Sequence, residues 1–261
     1  MKKKILLICI VLLLFFIGKF SFAKGVWKEY KKRHFIIYYK EAPEEFVYAV
    51  EEAAEEYYDE ISKNLGFVRY KGWTWDERAK IYIYNDADDY KKAATRAPWS
   101  HGLAFAKSKT IRTFPAAHGF FDSVLPHELG HIIFREFVGF KAEAPQWFEE
   151  GIAMYQEKAR RWGAHKAVKE AIDDERFIPL DELTNLKLYR KTDQATINLF
   201  YAESASIVNY MINDLGKLKF VRFCRALEKG RPFEWTLESI YPRFNNLKRL
   251  NKAWLNYLER K

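Results

Sequence analysis

The tightest constraint on this chain is the stretch 122–135, where His127, Glu128 and His131 interrupt a run containing Val124, Leu125, Leu129, Ile132, Ile133 and Phe134. The apolar positions recur at helical spacing and predict a buried helix over about 122–138, or one that starts nearer Pro126, since proline suits a first helical turn. Residues four apart share a helix face, so both imidazoles reach one point. Two buried imidazoles without partners are costly, and a metal ion supplies the partner. Glu128 lies about 100° around the helix from His127. That sets it beside such an ion rather than on it, placed to take a proton from water.

A catalytic zinc wants three protein ligands and one open position. Trp147-Phe148-Glu149-Glu150-Gly151-Ile152-Ala153, introduced by Pro145, offers the third. Glu150 is the expected ligand and Glu149 its competitor. Eighteen residues separate His131 from Glu150, enough for a turn through Gly139 and a return alongside. Gly151 is expected to let these two helices approach closely.

The pattern H-E-x-x-H, eighteen residues, then Glu-Gly-Ile-Ala resembles that of the gluzincin metallopeptidases, such as aminopeptidase N and leukotriene A4 hydrolase. The phrase Pro145-x-Trp147-Phe148-x-Glu150-Gly151-Ile152-Ala153 and the later Phe200-Tyr201-Ala202-Glu203-Ser204-Ala205 are similar to the compact peptidase-MA-like family. The resemblance covers about 122–215. It implies one Zn2+ held by His127, His131 and Glu150, Glu128 as general base, and a thermolysin-like fold acting on peptides or proteins. It also implies an edge strand that holds the substrate backbone, for which 102–106 and 110–114 are candidates. Tyr201 is the candidate oxyanion donor. Two departures stand out. The stretch 102–106 carries no acid to capture a substrate's amino terminus, so an endopeptidase is expected rather than an aminopeptidase. Met154 occupies the place where thermolysin-like enzymes carry an Asp that orients a zinc histidine. The expected substitute is Glu149 or a backbone carbonyl.

The rest of the chain predicts an α+β domain. Strands are expected over 34–39, 79–84 and 102–114, the last broken by a turn at 107–109. Helices are expected over 43–65, stopped by Gly66, and over 88–95. Further helices follow over 145–160, 164–173, 196–214, 217–229 and 244–259. A small mixed sheet thus precedes a mainly helical half, with 24–121 strand-rich and 122–261 helical in one unit.

Residues 1–23 read as a signal peptide: Lys2–Lys4, an apolar run over 5–17, and Ser21-Phe22-Ala23 before the cleavage point. Export is expected, to a periplasmic or extracellular location, with an uncleaved anchor as the alternative. Four of the 44 basic residues lie in that segment, so the excess over the 35 acids falls from nine to five without it. That balance, with no basic stripe, argues against nucleic acid and allows only weak attraction to anionic surfaces. Outside the segment Cys224 stands alone and is expected to be buried. His34 and His165 are expected to be structural. His101 and His118 are minor substrate-contact candidates, and the segment 158–164 is a candidate covering loop. The aromatic and basic C-terminal stretch, 220–261, reads as packing helices. The rivals to a peptidase are a non-catalytic binding module on the same fold and a hydrolase of a non-peptide amide or epoxide.

Overall fold

The computed structural model describes residues 26–68, 72–93, 103–115, 117–189, 191–244 and 246–261. The expected signal segment, His101 and Gly102 lie outside these residues. The sheet has five strands, β1 (Lys28–Lys31), β2 (Phe35–Tyr39), β3 (Ala79–Ile83), β4 (Leu103–Phe105) and β5 (Thr110–Thr113), in the order β1-β2-β3-β5-β4. The two outer pairings are antiparallel and the two inner ones parallel. Phe35, Ile37, Ile81, Ile83 and Ile111 are fully buried on one face. The other face carries half-exposed side chains, with Tyr38 stacked on Tyr82 at 4.7 Å.

Between β2 and β3, helix α1 (Glu44–Leu65) crosses the buried face. Val47, Val50, Ala54, Tyr58, Ile61 and Leu65 form its apolar stripe, and Gly66 at φ 77° ends it. The short α2 (Ala87–Ala93) follows β3. From there the described chain is helical except for β4 and β5. A π-helical turn (Phe120–Val124) leads into α3 (Leu125–Val138), then come α4 (Gln146–Gln156), α5 (Lys158–Asp173), α6 (Leu180–Asn185) and α7 (Gln194–Asn209). A second π turn (Tyr210–Asp214) precedes α8 (Lys217–Glu228), α9 (Phe233–Ile240) and α10 (Leu247–Glu259). The mixed sheet followed by a helical half is the α+β arrangement the sequence predicts. Among the described residues no helix is long and apolar enough to cross a membrane.

Several boundaries differ from expectation for local reasons. The helix expected over 145–160 breaks at Glu157, whose backbone is extended, and α5 starts at the next residue. The expected loop 158–164 is therefore the first part of α5. Pro126 does sit in the first turn of α3, after a π turn that carries Asp122. β1, α6 and α9 were not anticipated: four to eight residues are too few to display a period. In the C-terminal stretch Tyr241, Trp254 and Tyr257 are buried, as packing helices require, while Trp235 is exposed. Cys224 is fully buried, and burial pushes its thiol pKa up.

Candidate metal centre

The π turn and Pro126 fix where α3 begins, and with it the direction in which His127 and His131 project. One turn apart, their Nε2 atoms approach to 3.1 Å. Helix α4 crosses α3 at Gly130, where a Cβ would stand 3.0 Å from the Ala153 Cα and 3.1 Å from the Gln156 Cγ. That close approach brings Glu150 Oε2 to 3.5 Å from each histidine Nε2. Gly151 does not serve this contact, contrary to expectation. Its hydrogen faces α7, where a Cβ would collide with the Ser204 carbonyl oxygen.

The three side chains are each about one-fifth exposed, so water and substrate reach them. Tetrahedral zinc with bonds of about 2.0–2.1 Å sets neighbouring donors roughly 3.3–3.4 Å apart. Separations of 3.1, 3.5 and 3.5 Å match that spacing, and two imidazoles with one carboxylate are a zinc donor set. The electrostatics also favour a cation. Burial acts to lower the His127 pKa, yet bonds to Glu150 and Glu157 and the charge of Glu128 outweigh it and hold the pKa up at about 10. Burial likewise raises the Glu150 pKa, but His127 and His131 overcome that and bring it down to about 2. Among the described residues this is the only group of three or more metal-ligating side chains so placed.

Glu149, adjacent in sequence, turns away. The Arg135 guanidinium clasps both of its oxygens, with Nε donating to Oε2 at 2.9 Å, and also donates from Nη1 to the Ala142 carbonyl at 2.9 Å. Glu149 is thereby engaged neither as a ligand nor as the carboxylate that orients a histidine. Sequence reasoning missed the residue that does the orienting. Glu157, only 3% exposed at its side chain, places Oε1 2.8 Å from His127 Nδ1 and accepts a short hydrogen bond from Ser123 Oγ on its other oxygen. A donor bond from Nδ1 fixes the tautomer that leaves the Nε2 lone pair facing His131 and Glu150. Glu157 lies seven residues beyond Glu150, past the end of α4. No spacing rule points there, because the break at 157 is what aims its side chain.

The remaining candidates are spread out. Tyr201 is half-buried on α7, packed against Met154, Ala164 and Ala205. Met154 is one turn beyond Glu150, so Tyr201 lies beside the turn of α4 that follows this carboxylate. His118 is exposed in the turn before the π turn. His34 bonds Glu55 at 2.6 Å and stacks on Tyr58. His165 is bonded between Ser206 at 2.8 Å and Tyr257 at 3.3 Å. Of the two candidate edge strands, 110–114 is excluded as an edge, because β5 lies between β3 and β4. β4 is at the edge and packs against α3, and the turn that joins it to β5 is tied to α3 by the Lys109–Glu136 ion pair at 3.2 Å.

A family model for the peptidase MA superfamily matches residues 67–260, which takes in β3 and every later element described above. No curated protein matches the chain.

Proposed function

The chain belongs to the peptidase MA superfamily, and on that premise we propose that it is an exported zinc peptidase of the gluzincin type. The observation that carries the reading is the convergence of His127, His131 and Glu150 at zinc-ligand spacing, with two further carboxylates, Glu128 and Glu157, beside them. His127, His131 and Glu150 would hold the ion. Zinc bound there supplies Lewis-acid polarisation of the scissile carbonyl and acidifies the attacking water.

The rest is the work of the chain. Glu128, adjoining His127 and partly exposed, takes the proton from the attacking water and passes it to the leaving amine. Glu157 holds the His127 ring in one tautomer and orientation. Tyr201 donates to the oxygen that gains charge. β4, at the sheet edge, pairs with the extended substrate backbone. The absence of an acid in 102–106 supports an endopeptidase, and Lys2–Lys4 with the apolar run that follows supports export.

The test is Glu128→Gln in zinc-loaded protein, with peptide cleavage and zinc content read together. Turnover is expected to fall by a factor of roughly 100 or more, with one zinc retained. Unchanged turnover, or loss of zinc, refutes the general-base role. Stoichiometric zinc without turnover in the unmutated protein favours the binding-module rival.

A further inference from the structure

Positive charge is concentrated at one end of this chain. Residues 217–261 carry 12 Lys and Arg against 4 Asp and Glu, whereas residues 24–216 carry 28 against 31. Elsewhere cations are commonly answered by carboxylates, as in Lys40–Asp89, Lys109–Glu136 and Arg135–Glu149. Of the twelve, Lys248 alone pairs with one among the described residues, reaching Asp181 at 3.9 Å. Three of the others line a single cavity of about 430 Å³. Lys219 comes from the first turn of α8, Arg243 from the loop between α9 and α10, and Arg260 from the end of α10. Asp214, the last residue of the second π turn, is the one acid in the described lining, so two formal positive charges remain in excess. No described lining residue belongs to α3 or α4, which carry the metal centre.

Two local features of the cavity call for an anion. Helix α8 starts at its wall, since Leu215 and Lys219, on either side of the N-cap Gly216, both line it. Gly216 supplies no side-chain cap, and the first turn holds Lys217 and Lys219 and no acid. Helices α1 and α2 instead place two acids each in that turn. A helix N-terminus carries partial positive charge, so lysines there are unfavourable and a bound anion is favourable. The second feature is Tyr241. It lines the cavity and is only 2% exposed, yet its hydroxyl has no hydrogen-bond partner among the described residues. A buried hydroxyl left unpaired is costly. Burial also pushes its pKa up, so the group stays protonated and able to donate.

We propose that this cavity binds a phosphate monoester. Such a group carries a charge of about −1.5 to −2 at neutral pH and presents three terminal oxygens. That matches an excess of two positive charges and three cationic side chains arriving from three separate segments. A carboxylate offers one charge and two oxygens to the same surroundings. Arg243 and Arg260 each present the planar fork that bonds two phosphate oxygens at once, and Lys219 adds a point charge. Leu215, Pro242 and Phe244 provide apolar wall for the organic part of the ester. A soluble phosphate ester and the headgroup of a phosphomonoester lipid share this chemistry. The inference does not rest on the peptidase reading.

The experiment titrates the full chain by calorimetry with glycerol 3-phosphate, with dihexanoyl phosphatidic acid below its micellar concentration, and with succinate as a dicarboxylate of similar charge. Each titration is run with zinc and again with phenanthroline, an uncharged chelator. Wild type is expected to bind at least one of the esters roughly tenfold more tightly than succinate, with the same constants in both conditions. Lys219→Gln, Arg243→Gln and Arg260→Gln should each weaken that binding roughly fivefold or more. Lys252→Gln, which removes an exposed cation of α10 outside the described lining, should change it less than about twofold. Esters that bind alike assign a soluble ligand, and a roughly tenfold preference for the short-chain lipid assigns a headgroup. Failure of both esters to bind, succinate binding as tightly, or an equal loss in Lys252→Gln overturns the site. Binding that disappears with the chelator places the ligand on the metal centre and overturns it as well.

Discussion

Replacing Glu157 by glutamine tests the structural account of the centre most directly. The substitution keeps volume and an acceptor oxygen while removing one charge next to His127 Nδ1. From Glu157 Oε1 the path runs 2.8 Å to Nδ1, across the ring to Nε2, and on to a bound ion, a total of about 7 Å. A unit charge and a divalent ion about 7 Å apart with an effective dielectric near 20 interact by about 4.7 kcal/mol, an upper bound for a centre that water reaches. Partners of metal-ligating histidines are worth about 10–100-fold, or about 1.4–2.8 kcal/mol, and the size of the charge term places Glu157 at the upper end of that range. The glutamine amide can also turn its NH2 toward the ring and favour the tautomer with the proton on Nε2, where the ion binds. Zinc affinity, measured by competition with a chromophoric chelator at fixed pH and salt, should therefore fall about 30–100-fold. Thermal stability of the metal-free protein serves as the control for folding. The paired variant Glu149→Gln should cost stability, because it uncouples Arg135, while leaving zinc affinity within about threefold. If Glu157→Gln binds zinc within threefold of wild type, the orienting role is refuted.

Two further outcomes follow from packing and from charge. Gly151→Ala pushes a Cβ against the Ser204 backbone and should destabilise the protein by about 3 kcal/mol or more in denaturant unfolding, whereas Gly130→Ala, whose Cβ at 3.0–3.1 Å from its neighbours needs them to shift only slightly, should cost about 1 kcal/mol; equal effects would contradict the difference in close approach. Glu203 is fully buried and accepts a hydrogen bond from the Ile178 N–H on one oxygen, and burial raises its pKa to about 8. The folded state thus binds a proton that the unfolded state releases above about pH 4.5, so this group's stabilising contribution, full at low pH, declines as pH rises toward 8. The decline amounts to something on the order of 4 kcal/mol by pH 7.5, and Glu203→Gln, which mimics the neutral form, should flatten the pH dependence of stability across that window. An identical pH profile in the variant would show that Glu203 is not the titrating group.

What the sequence by itself determined was set by periodicity and by neighbours one turn away. The stripe of α1, its stop at Gly66, the turn at 107–109 and the His127–His131 face are local, so they are visible without a partner in space. The choice of Glu150 over Glu149 as the carboxylate facing the histidines was legible as a pattern, but its physical reason is Arg135, fourteen residues away from Glu149. Tertiary structure alone decided the rest. Which strand is an edge depends on the order β3-β5-β4, a matter of pairing between distant segments. Which glycine serves which contact depends on how α4 crosses α3 and α7, and the crossing assigned Gly130 and Gly151 to different neighbours. Glu157 reaches His127 only because the chain breaks between α4 and α5, and the cationic cavity exists only where the start of α8, the loop before α10 and the end of α10 meet. Such features arise from contacts between segments far apart in the chain, and a single sequence carries no period that records them.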